Sequence, residues 1–76
     1  MADDGDKLRR AIELLLLPGV TKVPITELLP MLTEKKSNRD LARKAREGMN
    51  QITGEGLTDE QRTELVALTA VVRQYA

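Results

Sequence analysis

The chain has no cysteine, histidine, phenylalanine or tryptophan, and Tyr75 is its one aromatic residue. Without cysteine it can form neither a disulfide nor a thiolate metal site. Without histidine it also lacks the side chain that most often acts as a general base or binds zinc. Any core must therefore be built from aliphatic side chains, and we expect a non-enzymatic protein with no metal site and no cofactor.

Long apolar runs are missing as well. The longest run, from Leu14 to Leu17, is far shorter than the ~20 residues that a membrane-spanning helix needs. The first six residues contain three Asp and no basic residue, whereas a secretory signal peptide begins with a basic segment. These features, together with the absence of cysteine, predict a cytoplasmic protein that makes no contact with a membrane. Nothing in the sequence indicates a small-molecule substrate.

A length of 76 residues is enough for one domain and not for two. We expect residues 1–5 to form a flexible acidic N-terminal tail and residues 6–76 to form a single helical domain. Twelve basic and twelve acidic residues give no net charge, but they are unevenly distributed. Residues 33–46 hold six Lys or Arg against Glu34 and Asp40, which predicts a basic region near the middle of the chain.

The spacing of apolar and capping residues predicts helices in the first half of the chain over residues 6–16 and 26–33. Asp6 is the expected N-cap of the first helix, because its carboxylate can accept from the free amides of the first turn. Thr26 is the expected N-cap of the second. Pro30 then falls at the end of the first turn of that helix, where a missing N–H is still tolerated.

Two further helices are predicted over residues 37–52 and 58–75. Ser37 is the expected N-cap of one, and Thr58 with Gln61 forms a capping box at the start of the other. The fold class is therefore all-α, a compact bundle of three to four short helices. The residues that the helical period places toward the core are Leu8, Ala11, Ile12, Leu15, Ile25, Leu28, Leu29, Leu32, Leu41, Ala42, Ala45, Met49, Ile52, Leu65, Leu68, Val72 and Tyr75.

A row of arginines on the third predicted helix is the main functional signal. Arg39, Arg43 and Arg46 follow an i, i+4, i+7 spacing, so they stand on one face and are called here the arginine row. Lys36 precedes the row and Asn50 follows it. Like charges at this spacing repel slightly, and a helix with no use for them would more often interleave acids. The row predicts a contact with an acidic protein or with phosphates, and the simpler alternative is a solvated face.

The same region permits a helix-turn-helix. The second predicted helix would end near Thr33, residues 34–36 would form the turn, and the helix from Ser37 would be the recognition helix. The arginine row would then contact DNA phosphates. Zero net charge and an isoelectric point near 6.2 are below what a nucleic-acid domain normally shows.

Surplus apolar residues are the second functional signal. Leu14 and Leu17 fall off the main stripe of the first helix, and Val66 and Ala70 lie opposite the main stripe of the fourth. Because a helix of a small bundle needs one apolar face, the extra residues predict a partner or homodimer surface. The alternative is structural: both leucines pack under the connector that follows them, and the fourth helix is central to the bundle.

The pairs Asn38-Arg39 and Ala45-Arg46 resemble the omega subunit of bacterial RNA polymerase over a short part of the chain, and that likeness assigns a role to no residue. We predict a regulatory or interaction module that binds a partner protein, or a copy of itself, through the aliphatic residues and the adjacent arginine row. The alternative function is that of a helix-turn-helix-like DNA-binding protein, which uses the helix of residues 37–52 to contact DNA.

Overall fold

The computed structural model describes residues 3–76, and it confirms the all-α bundle. Its helices are α1 (Asp4–Leu15), α2 (Ile25–Leu28), α3 (Pro30–Thr33), α4 (Asn38–Asn50) and α5 (Asp59–Tyr75). The three long helices pack against one another, and α3 packs against α1 and α4. Within the described residues, β structure is limited to one antiparallel bridge between Thr21 and Ile52. No helix among them is long and apolar enough to cross a bilayer.

Helix α1 begins two residues earlier than predicted. Its N-cap is Asp3, whose side chain accepts from the backbone N–H of Asp6 at 2.9 Å. Asp6 is therefore inside the first turn, and its prediction as the N-cap is wrong. The predicted tail of residues 1–5 is also helical from Asp4 onward, while Met1 and Ala2 lie outside the described residues.

Tertiary contacts explain why the helix extends this far. Gly5 is buried, and a Cβ added there would lie 3.2 Å from the Asn38 side-chain oxygen. The hydroxyl of Tyr75 donates to a carboxylate oxygen of Asp4 at 2.7 Å. The beginning of α1 is therefore held against α4 and α5, an effect that local capping preference does not contain.

The segment predicted as one helix over 26–33 consists of two single turns. Leu29 joins them with helical backbone angles. Pro30 has no N–H to donate to the preceding turn, so the hydrogen-bond ladder is interrupted there and α3 starts at this residue. Pro24, not Thr26, occupies the N-cap position of α2, and no side chain caps it.

The N-terminal caps of α4 and α5 are confirmed. Ser37 accepts from the backbone N–H of Asp40 at 3.2 Å. Thr58 accepts from the backbone N–H of Gln61 at 3.1 Å, and Gln61 accepts from that of Thr58 at 3.0 Å. The second pair is the complete capping box that the sequence predicts.

The C-terminal end of α4 comes two residues before the predicted end at Ile52. After Asn50 the chain turns and runs beside the connector between α1 and α2, where Thr53 donates to the Val20 carbonyl at 2.9 Å. Ile52 is exposed there and is not a core residue, contrary to the prediction. The backbone of residues 51–53 forms hydrogen bonds with the connector in place of a further turn of helix.

The core lies between α1, α4 and α5 and is closed by the connector and α2. Its buried apolar residues are Leu8, Ala11, Ile12, Leu14, Leu15, Val20, Val23, Leu28, Leu41, Ala42, Ala45, Leu65 and Val72. Ile25 and Leu29 were predicted in the core but are 58% and 46% exposed. In the single turn of α2, Leu28 is the residue that points toward the core, whereas Ile25 and Leu29 face solvent.

Gly48 allows a close approach between the C-terminal ends of α1 and α4. It is buried there, and a Cβ at this position would lie 2.7 Å from a terminal carbon of Leu15, the last residue of α1. Glycine inside a helix destabilises that helix by about 1 kcal/mol relative to Ala. Because Gly48 has no side chain, there is room for the fully buried Leu15, and this contact fixes the distance between the two helices.

Candidate functional site

The arginine row lies on the exposed side of α4, as predicted. Arg39, Arg43 and Arg46, together with Asn50, are exposed and line a cleft of about 600 Å³. Tyr75 forms the opposite wall of this cleft at the C-terminal end of α5. Among residues 3–76, no carboxylate forms an ion pair with any of the three guanidinium groups.

One acid close to the arginine row, Glu47, is paired with Lys44 and not with an arginine. The Lys44 ammonium group donates to Glu47 at 3.0 Å and to Glu27 of α2 at 3.2 Å. The hydrogen bond to Glu47 is the main cause of a raised pKa of Lys44. The i, i+4 pairs that the sequence offers, Asp40 with Lys44 and Arg43 with Glu47, are not formed. Glu47 lines the cleft with its charge already satisfied.

Lys36 does not line this cleft. It is half-buried and its ammonium group lies 3.3 Å from a carboxylate oxygen of Glu34. Lys36 lines an adjoining depression together with Met31, and this depression shares Arg43 and Glu47 with the cleft. Four of the five predicted polar residues therefore line the cleft itself, and Lys36 lines the depression beside it.

Tyr75 is held in place from outside the cleft. Its hydrogen bond to Asp4 is the main cause of a raised pKa of Tyr75, whereas Asn38 acts in the opposite direction. These contacts join the start of α1, the start of α4 and the end of α5. Contacts with three helices therefore hold the aromatic ring in position opposite the arginine row.

The four predicted interface residues separate into two groups. Leu14 is 1% exposed and belongs to the core, so its prediction as an interface residue is wrong. Leu17 is half-buried and packs against the core. Because α1 packs against both α4 and α5, both of its apolar sides are covered. Leu14 is therefore a core residue and Leu17 packs against the core.

Val66 and Ala70 are on the surface of α5. Val66 is 67% exposed, the largest exposed fraction among the large apolar side chains that the structure describes. It lines an apolar pocket of about 280 Å³ with residues of α4 and of the loop between the helices. Their role in binding stays a prediction.

Sequence reasoning did not identify the other walls of this pocket. They are formed by Met49, Ile52, Leu57 and Thr69. The loop folds over the pocket because Gly56 has a φ of 83°, and a Cβ there would collide with the carbonyl oxygen of Pro18. Arg62 fixes the loop by donating to the Gly54 carbonyl at 3.1 Å. The signal in the sequence that could have identified this pocket is the pair of glycines, Gly54 and Gly56, close to exposed aliphatic residues.

The basic cleft and the apolar pocket are parts of one surface depression. A third depression, of about 400 Å³, lies between them and shares Arg46 and Asn50 with the cleft and Met49 and Thr69 with the pocket. Arg73 of α5 lines this middle section. We call the whole depression the α4–α5 groove. The helices are antiparallel along it, so one end is basic and the other is apolar.

The groove offers positive charge at one end and an apolar pocket at the other. Within the described residues, no group of three or more acidic, histidine or cysteine side chains could hold a metal ion. Comparison of the chain with protein-family models, with curated proteins and with solved structures gives no match. Any conclusion about function therefore depends on the groove.

Proposed function

We propose that this protein is a non-catalytic protein-docking module of the cytoplasm, and that the α4–α5 groove is its docking surface. The observation that carries the proposal is the continuity of the unpaired arginine row with the apolar pocket around Val66. A partner that fits this groove has acidic side chains at one end of its contact surface and an aliphatic side chain at the other.

The two ends of the groove contribute differently. Guanidinium groups bind carboxylates through two parallel hydrogen bonds, which fixes the orientation of a partner. Ion pairs at an exposed surface add only about 0.2–1 kcal/mol each. Burial of aliphatic surface contributes roughly 25 cal/mol per Å², so a partner side chain that buries about 40 Å² in the apolar pocket contributes as much as the strongest such ion pair. The charges mainly determine specificity and the association rate.

DNA binding is the competing function, and the groove supports it less well. A row of phosphates would meet the arginine row, but it has no aliphatic group to place in the apolar pocket. The chain also carries no net positive charge, whereas most of the affinity for DNA comes from a basic surface. The first helix of the predicted motif, residues 26–33, consists of two single turns, α2 and α3.

A titration followed by NMR tests the proposal. The ¹⁵N-labelled protein is titrated with a glutamate-rich peptide that carries one pair of leucines, and separately with duplex DNA. We expect the peptide to shift amide signals along α4 and α5, and Arg43→Glu to weaken binding on the order of tenfold through loss of a charge-assisted contact. Lys7→Glu is the matched control, because Lys7 is exposed on α1.

The outcomes separate the two functions. Equal weakening by both substitutions would show a nonspecific charge effect and contradict docking at the groove. Binding of DNA at low salt that falls steeply as salt is added, with no response to the peptide, would establish the helix-turn-helix alternative instead.

A further inference from the structure

We propose that the occupant of the α4–α5 groove is a second copy of this chain, paired antiparallel along α5 about a twofold axis at Val66. The inference rests on the proposed function, because it names the partner for the same surface. A helix of the second copy would bring to the groove both an acidic residue and an aliphatic one.

The outer face of α5 has the required pattern. Asp59, Thr63, Val66, Ala70 and Arg73 recur at helical spacing and are all exposed. At about 100° per residue they fall within one arc of roughly 80°. An acid stands at one end of this face, a base at the other, and the exposed valine lies in the middle.

The pattern is complementary to itself. Asp59 precedes Val66 by seven residues and Arg73 follows it by seven, so both lie about 10 Å from Val66 along the helix axis. When two copies of α5 run antiparallel with Val66 facing Val66, each Asp59 faces the Arg73 of the other copy. A twofold interface repeats every contact, which gives two such ion pairs.

Neither member of that pair is engaged within one copy. Among residues 3–76, Asp59 and Arg73 form no ion pair, although four other basic residues do. Ala67 and Ala70, both exposed on α5, are small enough for two helices to approach to about 8–10 Å between axes. The face is therefore free, charged at both ends and sterically open in the middle.

The groove fits the second copy at the same positions. Arg73 and Arg46 line the middle section of the groove together, so the second copy's Asp59 would approach two guanidinium groups. The second copy's Val66 would cover the exposed Val66 beside the apolar pocket. This pairing accounts for the residues that the sequence marks as surplus on α5.

Sedimentation equilibrium over a wide range of protein concentrations tests the pairing. We expect the unmodified chain to shift reversibly from monomer to dimer as the concentration increases. Asp59→Arg or Arg73→Asp alone should weaken the dimer on the order of tenfold, because each replaces two attractive contacts by two repulsive ones. The double variant restores the attraction with exchanged signs, so its dimerisation should return to within a few-fold of the original.

Glu60→Arg is the matched control. It changes the net charge by the same amount and lies in the same first turn of α5, but at about 100° from Asp59 around the helix. Far-ultraviolet circular dichroism verifies that each variant is folded. We expect Glu60→Arg to dimerise like the unmodified chain and Val66→Glu to remain monomeric.

Two results would overturn the inference. If the unmodified chain is monomeric at every concentration, there is no second copy in the groove, and the peptide titration of Arg43→Glu still decides the proposed function separately. If the chain dimerises but the double variant does not recover, the two copies meet at another surface.

Discussion

Leu14→Glu and Val66→Glu make the same chemical change at two positions that the sequence pattern treats alike. The structure separates them sharply, since Leu14 is 1% exposed and Val66 is 67% exposed. We expect Leu14→Glu to unfold the protein at neutral pH and Val66→Glu to leave the monomer folded.

The magnitudes follow from burial. Loss of a buried leucine side chain costs about 2–5 kcal/mol. A glutamate in its place must be protonated to remain buried, and protonation at pH 7 from an ordinary pKa near 4.3 costs roughly 4 kcal/mol more. At about 0.05–0.15 kcal/mol per residue, a 76-residue domain has roughly 4–11 kcal/mol of stability in total. The Leu14 substitution therefore removes most or all of it.

The valine position has no comparable cost. Most of its side chain is already in water, and Glu is a better helix former than Val by a few tenths of a kcal/mol. The expected change in the free energy of unfolding is within about 0.5 kcal/mol. Urea unfolding followed by circular dichroism, at concentrations where the protein is monomeric, measures both variants. A cooperative transition of Leu14→Glu at the unmodified midpoint would refute the placement of α1 between α4 and α5.

The remaining predictions concern the two ends of α5. The single tyrosine allows its ionisation to be followed by absorbance: the bond to Asp4 raises its pKa above the ordinary 10.0, and Asp4→Asn should lower the midpoint. Because the folded pKa is raised, the stabilising contact is present below pH 10 and is lost as the pH rises through the folded value; an unchanged midpoint in Asp4→Asn would contradict the contact. At the other end, Thr58→Ala should lower the free energy of unfolding by about 0.5–2 kcal/mol in a urea titration. Thr58→Ser keeps the hydroxyl and should stay near the original, so equal losses in both variants would show that the cap is not responsible.

The helix starts that sequence reasoning placed correctly have one strong cap each. Ser37 is the only serine in the chain, and Thr58 with Gln61 satisfies both halves of a capping box. The start of α1 was misplaced because Asp3, Asp4 and Asp6 can all cap a helix. Local chemistry does not choose among them, whereas the contact between Tyr75 and Asp4 does.

Helical periodicity predicts on which face of its helix a side chain lies, but not how many faces of that helix pack against other helices. Leu14 and Val66 both lie off the main apolar stripe. Leu14 is buried because α1 packs against α3, α4 and α5, whereas Val66 is exposed on a face of α5 that neither α1 nor α4 covers. Local sequence contains no information about these neighbours, so it could not show that Leu14 is a core residue and that Leu17 packs against the core.

The α4–α5 groove also depends on packing between helices, which local sequence does not reveal. Arg46 and Arg73 are far apart in the chain, and only the antiparallel packing of α4 and α5 brings them to one depression. The arginine row itself was predictable because it lies within one helix. Its connection to the apolar pocket was not, because the pocket also needs the loop that Gly54 and Gly56 allow to fold back.

The unpaired state of the arginine row follows from how the acids are distributed among the helices. Glu64 of α5 accepts two hydrogen bonds from Arg10 of α1, at 2.7 and 3.0 Å, and this contact lowers the pKa of Glu64. Glu27 of α2 and Glu47 of α4 both bind Lys44. Glu64 and Glu27 each join two helices, whereas Glu47 is paired with Lys44 within α4, so none of the three is available to Arg43. A chain with zero net charge therefore keeps a basic face, because ion pairs with Arg10 and Lys44 hold three of its acids.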